Sequence, residues 1–174
     1  MKILQYLFIS LSHKTLKILP YRLIRLLSVP IGTLYYLLTL RSSIKLFNRK
    51  KIFEKLKITY KPLIVKINYT RYWLETLWLT NKNFSKHITP HIEIENQEYV
   101  DKLKKQYPGL IFALPHLGNW EFAIPVGNSI KLNLLAVAEP LSNSYVLNWF
   151  KSLRESLGIE TVSYTHLTLP TSYA

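Results

Sequence analysis

Two short, uninterrupted apolar runs in the second half of the sequence most constrain how this chain can fold. They read GLIFALP from position 109 and LNLLAVAEP from position 132, and such runs are typical of strands buried on both faces of a parallel sheet. A helix start follows each run, at Asn119 and at Ser142 or Asn143. Gly158 ends the second helix, and IETV opens a third strand. This order predicts an α/β fold with a mostly parallel sheet flanked by helices.

The first 86 residues carry a helical pattern instead. Apolar stripes continue to about position 86, with Pro20, Pro30 and Pro62 as the expected breaks. The stretch KINYTRYWLETLWLT, from position 66, predicts one amphipathic helix. An alternating segment, His91–Glu95, is compatible with a short strand, and a polar helix ending near Tyr107 follows it.

Positive charge is concentrated in the first third of the chain. Residues 1–66 hold 14 of the 23 Lys and Arg residues and one acidic residue, Glu54, so the net charge of +13 arises there. Basic and aliphatic residues alternate at helical spacing, which predicts amphipathic helices lying in the headgroup plane of an anionic membrane. The residues in this pattern are Lys14, Lys17, Arg22 and Arg25 with Leu16, Ile18, Leu19, Leu23, Ile24 and Leu26.

Two other interpretations of the basic third stay open. A helix packed on the domain with a solvated basic face has the same pattern, and a basic segment is also usual in nucleic-acid binders. We expect no nucleic-acid partner, because the cations alternate with long aliphatic residues and no nucleic-acid module is recognisable. The longest uncharged run, Leu26–Leu40, has 15 residues, which is short of the ~20 that span a bilayer.

Three segments are expected on this basis: a basic, helical, membrane-associating region over residues 1–86, the start of an α/β core over residues 87–162, and a tail over residues 163–174. The tail lacks any Lys, Arg, Asp or Glu and is rich in Thr and Ser. We expect it to be non-native, and His166 is therefore not a candidate site residue. Cysteine is absent, which excludes disulfides, zinc–thiolate sites and a cysteine nucleophile.

The segment ALPHLGNWEF, from position 113, places an imidazole and a carboxylate at the carboxyl end of the first predicted strand, where α/β sheets gather their chemistry. An imidazole of ordinary pKa, about 6.5, is mostly neutral at neutral pH, so His116 can accept a hydroxyl proton as general base. Glu121, in the first turn of the next helix, can accept the other ring N–H and stabilise the imidazolium. Gly118 permits the tight turn, and N–H groups at the helix start can hold an oxyanion. Alone, the spacing is also compatible with a hydrogen-bonded structural histidine.

A family resemblance rests on three segments in order. GLIFALPHLGNWEFA resembles the His-x4-acidic signature of the lysophospholipid and glycolipid acyltransferases, and PHLGNWE in particular resembles the bacterial lipid A lauroyl/myristoyl acyltransferase family. TRYWLETLWL at 70–79 and VAEPLSNSYVLNWFKSLRESLG at 137–158 are similar to its phosphatidylinositol mannoside acyltransferase branch. The resemblance runs from roughly residue 10 to Val162, the N-terminal half of a family member.

The resemblance implies a role for four side chains and an activity. His116 is then the base and Glu121 its partner, while Glu139 and Arg154 match further polar site positions that would bind substrate. From its chemistry alone, Arg154 can hold a phosphate or orient a carboxylate, and it can equally be a solvated helix residue. The implied enzyme is peripheral on the cytoplasmic face of the plasma (inner) membrane.

In the implied reaction, a fatty acyl group passes from acyl-CoA or acyl carrier protein to a hydroxyl of a membrane glycolipid. A phosphatidylinositol mannoside is favoured as acceptor, and a lipid A precursor is second. We expect anionic lipids as further partners and neither a metal nor a cofactor beyond the acyl thioester. The alternative is a non-catalytic membrane-surface module in which His116 and Glu121 are structural. Family members use a further acidic residue beyond position 174, so a chain ending there is expected to be unstable and inactive.

Overall fold

A computed structural model describes residues 2–40, 61–80, 84–87, 91–115, 117–138 and 141–163. The chain divides into two compact units, Met1–Asn81 and Lys82–Ala174, and each is described by itself. No helix in the described part of the chain is both long enough and apolar enough to cross a membrane.

The first unit is helical. Its described helices are α1 (Lys2–Leu16), α2 (Tyr21–Leu38) and α3 (Pro62–Trp78). The main packing contact is between α2 and α3, and α1 also packs on α3. Pro62 occupies the first helical turn of α3, where its missing N–H costs nothing. The helix predicted from position 66 is confirmed as the greater part of α3, but its predicted amphipathic pattern is not, since Thr70, Glu75 and Thr76 are buried beside Leu74, Leu77 and Trp78.

Proline acts differently at its two positions near α2. Pro20 directly precedes the helix, so the basic pattern from Lys14 to Leu26 is divided between α1 and α2. Pro30 lies inside α2 and does not break it, contrary to the prediction. The residue four positions earlier, Leu26, is 68% exposed. The carbonyl that loses its N–H partner therefore lies on the outer side of the helix, where water or another polar group can satisfy it.

The core of the first unit is built around Trp78, which is 1% exposed. Its indole Nε1–H donates to the carbonyl of Leu19 at 2.8 Å, and its ring lies 5.1 Å from the ring of Tyr21. The Tyr21 hydroxyl donates to Glu75 at 2.9 Å. Burial, followed by the neighbouring Glu75 charge, raises the pKa of Tyr21 to about 12. These contacts join the start of α2 to the end of α3.

The second unit contains the sheet. Strands β1 (Leu134–Ala138) and β2 (Ile159–Ser163) pair in parallel, with Leu134 opposite Ile159 and Ala138 opposite Ser163. Helix α7 (Ser144–Ser156) connects them and packs on β2. The predicted α/β fold, with helices beside a parallel sheet, is confirmed. The remaining described elements are α4 (Phe84–His87), α5 (Gln97–Gln106), a 3-10 helix (Trp120–Phe122) and α6 (Ala123–Ser129).

Two predicted strands are wrong. Residues 109–115 form no strand and are largely exposed, with Ile111 99% exposed. His91–Glu95 is also irregular, although its isoleucines are more buried than its flanking charged residues. Apolar content and alternation indicate which side chains can be buried, but a strand also needs a neighbouring strand for its backbone hydrogen bonds. In the described sheet β1 pairs with β2, and neither segment joins them.

Candidate functional site

The loop before α6 positions a carboxylate by local hydrogen bonding. The Asn119 side chain accepts the backbone N–H of Glu121 at 3.2 Å, as predicted for a helix cap. Gly118 adopts φ +61°, a left-handed conformation that glycine takes without strain. Glu121 therefore lies in the middle of the three-residue 3-10 helix Trp120–Phe122, with its backbone held by the Asn119 side chain.

Arg154 binds both carboxylate oxygens of Glu121. Its Nη2 donates to Oε1 at 2.7 Å and its Nε donates to Oε2 at 3.2 Å. Glu121 is 0% exposed and Arg154 is 9% exposed. This is a bidentate, charge-assisted pair removed from water, which fixes both side chains in orientation.

Two aromatic rings lie against the guanidinium of Arg154. Its Cζ lies 4.9 Å from the Trp120 ring centroid and 5.6 Å from that of Phe150. The Glu121 carboxylate thus accepts the N–H groups of the guanidinium, while the Trp120 and Phe150 rings make cation–π contacts with it. Trp120 and Phe150 are not among the residues that the sequence singles out. Phe150 stands one helical turn before Arg154, a spacing that brings two side chains together on a helix.

The structure brings together two of the four predicted site residues. Glu121, expected to partner His116, and Arg154, expected to bind substrate, pair with each other. His116 and Glu139 lie outside the described residues. On either side of His116, the Leu117 N–H donates to the Pro115 carbonyl at 2.8 Å.

Pairing with Arg154 leaves the Glu121 carboxylate able to accept another hydrogen bond. Each carboxylate oxygen has two acceptor sites, and Arg154 uses one on each. An imidazole N–H, or a polar group of a substrate, is chemically suited to the remaining sites. A carboxylate held by a guanidinium in this way is suited to orient a neighbouring group and to stabilise positive charge on it.

The remaining predicted capping signals of this region are confirmed. Asn143 caps α7 by accepting the Tyr145 N–H at 3.2 Å. Gly158, after the helix, adopts φ +84°. These two ends set the register in which α7 presents Arg154 in its last turn. Within the described residues, no group of three or more His, Asp or Glu side chains is arranged to hold a metal ion.

Comparison with known proteins places the chain in a family. The sequence model of the bacterial lipid A biosynthesis acyltransferase family matches residues 1–166. No curated protein and no solved structure matches the chain.

Proposed function

Since the chain belongs to the bacterial lipid A biosynthesis acyltransferase family, and is therefore an acyltransferase, we propose that it transfers a fatty acyl group from acyl-CoA or acyl carrier protein to a hydroxyl of a membrane glycolipid. The observation that carries the proposal is the buried Glu121–Arg154 pair, because Glu121 follows His116 by five positions and is held rigidly. A carboxylate fixed in this way is suited to orient a catalytic imidazole.

In the proposed mechanism, His116 removes the proton from the acceptor hydroxyl as its oxygen attacks the thioester carbonyl carbon. The C–S bond then breaks, and the imidazolium returns the proton to the departing thiolate. Glu121 accepts the second ring N–H of His116, which selects the tautomer and stabilises the imidazolium. The acyl group passes directly between the two substrates, so no acyl-enzyme is needed.

Arg154 is a positioning residue in this mechanism. Its guanidinium is bound to Glu121 and lies against two rings, so we assign it to orienting the carboxylate rather than to holding a phosphate. Glu139, the residue that follows β1 in the sequence, is proposed to contact the substrate. That role rests on the resemblance alone.

Two glycolipid classes are candidates for the acceptor. A lipid A precursor is favoured by the family's own description. A phosphatidylinositol mannoside is favoured by the similarity of residues 70–79 and 137–158 to the enzymes that acylate it. Both offer hydroxyls on a sugar anchored in a bilayer, so the same base chemistry serves either.

We place the enzyme peripherally on the cytoplasmic face of the plasma membrane, in contact with anionic lipids. Exposed cations in the first unit support this proposal, since anionic headgroups attract Lys and Arg. These exposed cations include Lys14, Lys17, Arg22 and Arg25.

An acyl-transfer assay with purified full-length protein tests the proposal. Acyl-CoA and acyl carrier protein are each paired with a lipid A precursor and with a phosphatidylinositol mannoside, and the products are resolved by mass spectrometry. We expect one donor and acceptor pair to give an ester product that increases with time. Vesicle binding without transfer in any of the four combinations would contradict the proposal and favour the non-catalytic membrane module.

A further inference from the structure

Helix α2 exposes leucines and buries small residues. An ordinary surface helix does the reverse, because it packs its apolar side against the core. The buried face of α2 consists of Ile24, Ser28 and Gly32, whereas the most apolar side faces outward. Leu26, Leu34 and Leu37 are 68%, 56% and 60% exposed. The outward stripe has helical spacing and runs along most of α2, and its members are Leu23, Leu26, Pro30, Leu34 and Leu37.

The buried face explains why these leucines point outward. A Cβ placed on Gly32 would lie 2.6 Å from the Cα of Ile67, so α2 and α3 approach backbone to backbone. Ser28 and Gly32, four residues apart, form the small-residue seam that allows this approach. Helices that pack through small residues and turn leucines outward are typical of an apolar surrounding.

Charge around the stripe indicates what that surrounding is. Arg22 and Arg25, each one residue before a stripe leucine, are exposed. Residues 2–40 and 61–80 contain a single acidic residue, Glu75, which is 6% exposed and accepts the Tyr21 hydroxyl. The exposed charges in these ranges are therefore all positive. A second copy of the chain would place like charges against each other, whereas an anionic bilayer complements both the cations and the leucines.

We propose that α2 lies along the surface of an anionic leaflet, with Leu23, Leu26, Leu34 and Leu37 among the acyl chains and Arg22 and Arg25 among the headgroups. This inference rests on the proposed membrane function, and it assigns the contact to one face of one helix. The Ser28–Gly32 seam keeps α3 behind α2, on the side away from the lipid.

Site-specific fluorescence tests this contact, because residues 1–174 contain no cysteine that would compete for the label. Single substitutions Leu26→Cys, Leu34→Cys and Leu37→Cys in the full-length protein are labelled with nitrobenzoxadiazole, and Ile111→Cys, at a 99% exposed position of the second unit, is the control. With vesicles of phosphatidylglycerol and phosphatidylcholine in equal parts, we expect the three α2 labels to become brighter and blue-shifted. The control label should keep its aqueous emission.

Two double variants measure how much the leucines of the stripe contribute to vesicle binding. Leu26→Gln with Leu34→Gln should weaken partitioning to these vesicles by about tenfold or more, because both side chains lose apolar burial. Ile111→Gln with Leu141→Gln, also at exposed apolar positions, should leave it unchanged. Gln is a good helix former, so α2 itself is retained.

Several results would overturn the inference. These are aqueous emission from the α2 labels while the protein is on the vesicles, absence of vesicle binding, and a blue shift that appears without vesicles as protein concentration rises. The last result would assign the stripe to a second copy of the chain. Acyl transfer in detergent solution is measured in parallel, so failure of the lipid contact is distinguished from failure of the proposed enzyme activity.

Discussion

At the scale of single residues, the buried Glu121–Arg154 pair is the feature on which the proposed site depends. Both groups are buried, so removing one partner leaves an uncompensated charge in the protein interior. Loss of one member of a buried pair typically costs about 3–5 kcal/mol, whereas replacing both members with neutral side chains costs far less. Replacing both members of the pair should therefore remove the oriented carboxylate while retaining much of the protein's stability.

A double-mutant cycle measures that coupling. We expect Arg154→Met to lower the free energy of unfolding by about 3 kcal/mol or more, and Glu121→Gln with Arg154→Met to lower it by clearly less. Urea denaturation followed by circular dichroism is carried out on the wild type, on Arg154→Met, on Glu121→Gln and on the double variant. Strict additivity of the single variants would show that the two side chains are not coupled in solution.

His13 is a second residue whose environment makes a measurable prediction. Its Nδ1–H donates to the Leu77 carbonyl at 2.9 Å, and its Nε2 lies 3.2 Å from the Thr80 hydroxyl. Burial, together with the charge of Lys17, lowers the pKa of His13 below its ordinary value of 6.5. The unfolded chain therefore takes up this proton at a higher pH than the folded chain, so stability falls as pH drops through 6.5.

Thermal unfolding at pH 7.5 and pH 5.5 tests the sign. We expect wild-type protein to lose more stability on acidification than His13→Gln, which keeps a polar side chain but does not titrate there. An equal loss in both proteins would contradict the assignment, because the other histidines are common to both.

The sequence and its family resemblance single out Glu121 and Arg154 as candidate site residues but do not predict their contact. Each carries a recognisable chemistry at a recognisable position, one after a helix cap and one in the last turn of a helix. The contact depends on how α7 lies beside the 3-10 helix, and 33 residues of chain separate the two side chains. Trp120 and Phe150 are found only through that packing.

At the scale of helices and strands, local sequence signals predict where a helix begins or ends better than they predict which strands pair. The caps Asn119 and Asn143 are confirmed because each acts within two residues of itself. The predicted strand over residues 109–115 is wrong because strand formation depends on a distant partner. The helix break predicted at Pro30 is wrong for a related reason. Helix α2 tolerates a proline on its outer side, and the sequence does not show which side is outer.

The α2–α3 contact supplies a prediction at this scale. Gly32→Ala should lower the free energy of unfolding by about 1–3 kcal/mol, because the added methyl group would meet the Ile67 backbone, which cannot move aside as a flexible side chain would. Gly109→Ala is the matched control, since a Cβ there meets nothing within 4 Å. Chemical denaturation of both variants provides the comparison, and equal stabilities would argue against the close helix contact.

At the scale of the whole molecule, the two units divide the properties that the proposed membrane acyltransferase needs. The first unit carries the exposed cations and the outward leucines, and the second carries the buried ion pair and the parallel strands. The charge division is visible in sequence because it depends only on composition. The direction in which the leucines of α2 face is known only from the structure, because the sequence pattern is compatible both with a membrane-facing stripe and with a helix packed on the domain.

The general base is the central claim of the account. The most direct measurement is acyl transfer by full-length protein carrying His116→Ala, compared with wild type at equal thermal stability. Removal of the base should reduce kcat by about 10²- to 10⁴-fold, because no side chain would then accept the proton of the attacking hydroxyl. A well-folded His116→Ala protein that transfers acyl groups at a rate close to wild type would contradict the account.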